Sequence, residues 1–179
     1  MTLTKRKQET MNNHRLRADA PRGGGLYQLG RAERLTGFGF RCWLAGYQNG
    51  TIDCWEQAWN AYALELGPHA ARHAIRDLSC WVRSVSGHAR RGIALCPAAC
   101  TQFGYDECLA VSMIAAAQHK CPGVKACAFA LLGCEQFDEV IASATQFAAV
   151  LRENSLVLGH SPIVEPLAQN TDGTDGRVH

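Results

Sequence analysis

The chain contains 179 residues, 47% of them hydrophobic and 19% charged, with a formal net charge of +2. This composition is typical of a soluble globular protein with enough residues for one buried core and rather few for two. A run of about 18 apolar residues would indicate a transmembrane helix, and none occurs; residues 1–20 lack the apolar stretch of a secretory signal. We therefore expect a single domain in the cytoplasm.

The charges are divided unevenly along the chain. Residues 1–41 hold nine Lys or Arg against three Asp or Glu, whereas residues 92–179 hold four against nine. A cationic arm can contact nucleic-acid phosphates without reading the base sequence. Residues 1–25 contain no aromatic side chain on which a base could stack, so a solvated arm is the favoured interpretation and nucleic acid the alternative. The cations of the arm are Lys5, Arg6, Lys7, Arg15, Arg17 and Arg22.

Both ends of the sequence are predicted to lie outside the folded domain. Residues 1–28 include the three consecutive glycines Gly23, Gly24 and Gly25, which favour a flexible linker. The last residues contain two Asp-Gly turn signals and few apolar side chains. The sequence thus predicts a disordered basic arm at 1–28, a helical domain at 29–160 and a flexible tail at 161–179.

The first two predicted helices cover about 30–47 and 51–66. In both, apolar side chains recur at intervals of three and four residues, as one face of a helix requires. The first prediction is the weaker one, because Gly37 and Gly39 each cost about 1 kcal/mol in a helix interior. The apolar positions are Leu35, Phe38, Cys42 and Ala45 in the first helix and Ile52, Trp55, Trp59, Tyr62 and Leu66 in the second.

A third helix is predicted over 68–86. Gly67 and Pro68 end the helix before it and begin this one, since proline is tolerated at the first helical position but not inside. Its polar face carries His69, His73 and Asp77, a spacing that can hold a metal. Because the same face carries arginines, a solvated polar surface is the favoured interpretation.

Three further helices are predicted over 105–119, 122–133 and 135–153. The first of them is apolar on nearly every side, which is typical of a helix at the centre of a bundle. The last has acidic residues at its start and Arg152 at its end, in agreement with the helix macrodipole. No segment alternates between apolar and polar residues as a half-buried strand would. The fold class is therefore all-α, a single compact bundle of five to six helices.

Nine cysteines give the sequence its most specific chemistry. Five of them fall within 32 positions, and two of these, Cys96 and Cys121, directly precede a proline. Both are predicted to lie at a helix N-terminus, an environment that lowers the pKa of a thiol and favours the thiolate. The five clustered residues are Cys96, Cys100, Cys108, Cys121 and Cys127.

The clustered cysteines are candidate metal ligands, with His119 able to replace one of them. Four thiolates can hold zinc or an iron–sulfur cluster, although the spacing matches none of the common patterns for either. The two Cys-Pro steps resemble the short haem regulatory motif, and this resemblance implies thiolate ligation of haem iron at Cys96 or Cys121. A redox-sensing site is the remaining interpretation of the cluster.

Two alternatives stay open. The cysteines can be simple core residues, since a free cysteine packs like a small apolar side chain. A thiol-dependent enzyme would use Cys100 or Cys121 as nucleophile, His119 as base and Asp106 or Glu107 as the orienting carboxylate. The sequence favours a small regulatory protein that acts by binding a protein partner, with the cysteine cluster as its metal or redox site.

Overall fold

Six α-helices make up the part of the protein that the computed structural model describes, residues 29–159. These residues contain no strand, so the predicted all-α bundle is confirmed. The helices are α1 (Arg31–Asn49), α2 (Ile52–Leu66), α3 (Pro68–His88), α4 (Tyr105–Gln118), α5 (Gly123–Leu132) and α6 (Asp138–Glu153).

The predicted basic arm at 1–28 and the predicted tail at 161–179 lie outside the described residues. Nucleic-acid binding by the arm therefore stays a prediction. Within residues 29–159, none of the helices combines the length and the apolar character that crossing a membrane requires.

Gly67 separates α2 from α3 as the sequence predicts. Its φ of 79° lies in the region that favours glycine, and Pro68 follows at the first position of α3. The chain therefore reverses direction over a single residue, and α3 packs back against α2.

Helix α4 lies at the centre of the bundle and packs against α1, α5 and α6. Its side chains at Leu109, Met113 and Ile114 have no exposed area. A second group of buried rings lies where α1, α3 and α6 meet. There Trp81 stacks on Phe147 with ring centroids 5.6 Å apart and contacts Phe40 at 5.3 Å. The prediction that the helix at 105–119 is central is confirmed.

Helix α1 forms in spite of its two internal glycines, because large rings occupy the space beside them. The Phe103 ring lies directly against Gly37, and a Cβ at Gly39 would stand 2.7 Å from the Tyr62 hydroxyl. The cost in helix propensity is thus offset by close packing of two neighbouring segments.

Residues 89–104 form the longest connection between helices in the described chain, and we call them the 89–104 link. The link joins the end of α3 to the start of α4 and is anchored by Phe103, which is buried. Cys96 and Cys100 both lie in this link.

Candidate functional site

A buried ion pair joins the middle of α1 to the first turn of α4. Arg41 Nε donates to Glu107 Oε1 at 2.6 Å, and the two side chains are 3% and 0% exposed. Burial lowers the pKa of Arg41, whereas its hydrogen bond to Glu107 raises it, and the net shift is upward. Arg41 therefore keeps its positive charge inside the protein, next to the Glu107 side chain.

Arg41 also fixes the backbone of the 89–104 link. Its guanidinium donates to the carbonyl oxygens of Cys100 at 2.9 Å and Gln102 at 2.6 Å, with a longer contact of 3.5 Å to Pro97. The same guanidinium lies 5.1 Å from the centre of the Phe103 ring. One side chain of α1 thus determines the path of the link.

Glu107 holds the link from the other side. Its carboxylate accepts the backbone N–H of Gly104 at 2.6 Å and that of Cys96 at 3.4 Å. The Gly104 bond also caps the start of α4, where the helix dipole favours a negative charge.

A second ion pair repeats this arrangement one residue earlier on α4. The Arg91 guanidinium makes two parallel hydrogen bonds to Asp106, of 2.6 Å and 2.9 Å, and also donates to the carbonyl oxygen of Ala130. Asp106 accepts the N–H of Ala94 at 2.7 Å. The start of the link is therefore tied to α4 and α5 together.

Cys96 and Cys100 are brought together at the two ends of a tight turn. The N–H of Cys100 donates to Pro97 O at 2.8 Å, and the Cys96 and Cys100 thiols interact electrostatically. Both residues are half-buried.

The prediction that Cys96 lies at a helix N-terminus and forms a stable thiolate is wrong. Pro97 begins a turn here and no helix, so no helix dipole points at the sulfur. Burial raises the pKa of Cys96 to about 11, and the Glu107 carboxylate and the Cys100 thiol add to the increase. Cys96 is therefore a protonated thiol at neutral pH.

The other clustered cysteines lie on α4 and α5. Cys108 is buried, and its thiol contacts Phe103 O at 3.9 Å. Cys127 has no exposed area, and burial followed by the nearby Cys121 raises its pKa to about 12. Cys121 does lie at a helix start, since it directly precedes Pro122, the N-cap of α5.

His119 caps the C-terminal end of α4, and its Nε2 lies 2.7 Å from Leu158 O. That nitrogen donates a proton in this contact, so it is not available as a base. Asp106 and Glu107, the predicted orienting carboxylates, are occupied by Arg91 and Arg41. His119 Nε2 and the two carboxylates that the enzyme alternative names are therefore engaged in other contacts, and a thiol-dependent activity stays a prediction.

No group of three or more His, Cys, Asp or Glu side chains within residues 29–159 could hold a metal ion. The six predicted ligands are spread over the link, α4 and α5, and they interact in two separate pairs, Cys96 with Cys100 and Cys121 with Cys127. None of the nine cysteines, all of which lie within residues 29–159, forms a disulfide. Metal binding stays a prediction without support from this geometry.

His69 and His73 lie on the polar face of α3 with ring centroids 5.4 Å apart, and both are exposed. Asp77, the third residue of that predicted alternative, pairs instead with Arg76 at 2.8 Å. The two exposed histidines agree with the favoured interpretation of a solvated polar face, whereas Asp77 is buried.

A groove of about 460 Å³ lies beside the ion pair, and we call it the α1–α2 groove. Its walls come from α1, α2 and the 89–104 link, and Cys100 is part of the link wall. Leu64 on α2 lines it with 90% of its area exposed. Its other lining residues are Arg31, Arg34, Leu35, Phe38, Arg41, Ala61, Glu65, Ala98, Ala99, Thr101 and Phe103.

Sequence reasoning missed Arg41, the pairing of Arg91 with Asp106, and the α1–α2 groove. Arg41 and Glu107 are separated by 66 positions, and no local pattern connects them. One signal was present: Arg41 follows Phe38 by three residues and so lies on the apolar face of its helix. A charged residue on that face needs a buried partner.

Comparison of the chain with protein-family models, curated proteins and solved structures finds no match in any of the three. The class that the fold defines is an all-α protein with two ion-paired acids at the start of its central helix.

Proposed function

We propose that the protein is a regulatory module that acts by binding a protein partner, and that the α1–α2 groove is its binding site. The observation that carries the proposal is the 90% exposure of Leu64 beside an apolar surface formed by residues such as Leu35 and Phe38. A large apolar side chain in such a position contributes to affinity when a partner covers it.

The charges around the groove favour an acidic partner. Arg31 and Arg34 are exposed and line it. Arg31 is paired with Glu65, whereas Arg34 uses one N–H on Leu29 O at 2.8 Å. A guanidinium has five N–H donors, so Arg34 can still bind a carboxylate in a bidentate manner.

The shape of the groove favours a peptide segment over a small molecule. A volume of about 460 Å³ is sufficient for either. Small-molecule sites, however, surround most of the ligand surface, and a wall that leaves Leu64 almost fully exposed cannot do so. An amphipathic segment with apolar residues on one face and carboxylates beside them would cover Leu64 and reach Arg34.

Nuclear magnetic resonance tests the proposal with two short synthetic peptides, one alternating Leu and Glu and one alternating Leu and Lys. The acidic peptide should shift the methyl signals of Leu64 and the guanidinium signal of Arg34 in a saturable manner. The basic peptide should bind with a much lower affinity. Leu64→Asp and Arg34→Glu should each weaken binding by about tenfold or more, because each places a carboxylate at the acidic partner.

Phe129→Asp is the matched control, because Phe129 is 51% exposed on α5 and does not line the groove. It should leave the affinity unchanged. The proposal is overturned if neither peptide shifts Leu64, if both bind equally well, or if Phe129→Asp weakens binding as much as Leu64→Asp.

A further inference from the structure

Cys96 and Cys100 lie in the 89–104 link, outside the helices. They begin and end a five-residue segment whose turn is closed by the hydrogen bond from Cys100 N to Pro97 O at 2.8 Å. The turn folds the chain back on itself, so the two cysteines lie near each other, and each thiol interacts electrostatically with the other. A disulfide requires such proximity of its two residues.

The backbone on both sides of the turn is fixed by the buried ion pair. Arg41 donates to Cys100 O at 2.9 Å, and Glu107 accepts from Cys96 N at 3.4 Å. Thiols held in this way do not have to find each other by diffusion, which raises their effective concentration.

The turn is also accessible to small reagents. Pro97, Ala98 and Ala99 are exposed, and both cysteines are half-buried. Cys100 additionally lines the α1–α2 groove, where a dissolved molecule can approach its sulfur.

We propose that Cys96 and Cys100 form a reversible intramolecular disulfide by exchange with a small-molecule disulfide such as glutathione disulfide. The Cys100 thiolate attacks one sulfur of the reagent, the reagent S–S bond breaks, and one thiolate leaves and takes up a proton. The Cys96 thiolate then attacks the Cys100 sulfur and releases a second small thiol. Two protein thiols are oxidised, and one disulfide is reduced to two thiols.

The α1–α2 groove assigns the order of these two steps. Cys100 lines the groove, where the reagent can approach, whereas Cys96 is not among its lining residues. Cys100 therefore makes the first attack, and Cys96 is the resolving thiol.

The experiment incubates the full chain in glutathione buffers of increasing oxidised fraction, quenches with acid, alkylates free thiols and maps peptides by mass. Trypsin leaves Cys96, Cys100 and Cys108 in one peptide, and further cleavage after Glu107 separates Cys108. The expected product is a peptide with unalkylated Cys96 and Cys100 that has lost two hydrogen atoms. Excess glutathione should restore both thiols.

Two variants sharpen the test. Cys96→Ser should stop the reaction at a stable mixed disulfide between glutathione and Cys100. Cys121→Ser is the matched control, since Cys121 is also half-buried beside a proline, and it should leave formation of the disulfide unchanged.

The proposal is overturned if Cys96 and Cys100 stay reduced while the exposed Cys80 acquires glutathione. It is equally overturned if the wild type accumulates the mixed disulfide without closing it, or if Cys100 pairs with another cysteine. None of these outcomes depends on peptide binding, so the proposal can fail or succeed independently of the proposed groove function.

Discussion

The Arg41 guanidinium and the Glu107 carboxylate are paired at 2.6 Å in the interior, and both also bind the backbone of the 89–104 link. One charge therefore neutralises the other while both satisfy buried peptide groups. Removal of either partner would leave an isolated charge in a region of low dielectric constant. The position of the Cys96–Cys100 turn thus depends on two residues that lie outside it.

Glu107→Gln should strongly destabilise the protein. The amide keeps the shape of the side chain but leaves the Arg41 charge uncompensated, and we expect a loss of about 3–5 kcal/mol in the free energy of unfolding. Urea titration at neutral pH measures this loss. Glu153→Gln, on the exposed end of α6, is the control and should change stability by less than about 0.5 kcal/mol.

The double variant Arg41→Met with Glu107→Leu should lose less stability than the sum of the two single variants, since no unpaired charge remains. If Glu107→Gln unfolds at the wild-type urea concentration, the ion pair makes no net contribution and the assignment of its structural role is wrong.

Gly37→Ala and Gly87→Ala should change stability in opposite directions. A Cβ at Gly37 would collide with the Phe103 ring, and overpacking of this kind costs about 1–3 kcal/mol. A Cβ at Gly87 in α3 would meet nothing within 4 Å, so the variant should gain up to about 1 kcal/mol from helix propensity. Thermal unfolding measures both changes, and equal shifts of the melting temperature would contradict the packing argument.

The number and the approximate limits of the helices could be predicted because they depend on local signals. Apolar spacing predicted each helix, and Gly67 with Pro68 fixed one boundary to within a residue. Gly37 and Gly39 made the prediction of α1 weaker, because glycine is unfavourable inside a helix. The Phe103 ring packs against Gly37, but Phe103 lies far away in the sequence and no local pattern predicts this contact. Close packing between distant segments is therefore what the sequence did not reveal.

The candidate site was predicted in part. The Cys-Pro step drew attention to Cys96, yet the same dipeptide precedes a helix at Cys121 and a turn at Cys96. A proline fixes its own φ and suits both structures, so it cannot distinguish them. At Cys96 no helix dipole is present, and burial, followed by the Glu107 carboxylate that reaches it from α4, raises the pKa of the thiol.

Asp106→Ala should release the first part of the 89–104 link. Ala94 is exposed, so its amide is protected from hydrogen exchange by its 2.7 Å bond to the Asp106 carboxylate. Without that acceptor the Ala94 amide should exchange about tenfold faster or more, and stability should fall by about 1.5–3 kcal/mol, because this hydrogen bond and the Arg91 pair involve charged groups.

Asp138→Ala provides the matched control for this experiment. Asp138 is an exposed acid in the first turn of α6. Like Asp106 it interacts favourably with a helix dipole, but its removal breaks no contact with the link. The control should leave exchange at Ala94 unchanged. An equal effect in both variants would assign the result to the helix dipole and not to the Arg91–Asp106 pair.

The buried thiol of Cys127 should make the protein less stable in alkali. Burial, and then the nearby Cys121, raises its pKa from 9.0 to about 12 in the folded protein. Below about pH 9 the folded and unfolded states both keep the proton, so its contribution to stability is complete. As the pH rises towards about 12 the unfolded thiol ionises first, and this contribution is progressively lost.

Urea titrations at several pH values test this linkage. Between about pH 9 and pH 11 the free energy of unfolding of the wild type should fall more steeply than that of Cys127→Ala, by about 1 kcal/mol per pH unit. Cys80→Ala, which removes an exposed thiol, should keep the wild-type slope. Parallel slopes for the wild type and Cys127→Ala would contradict the prediction, because they would mean that the Cys127 thiol has the same pKa in the folded and the unfolded protein. The complete burial of this thiol in α5 should prevent that.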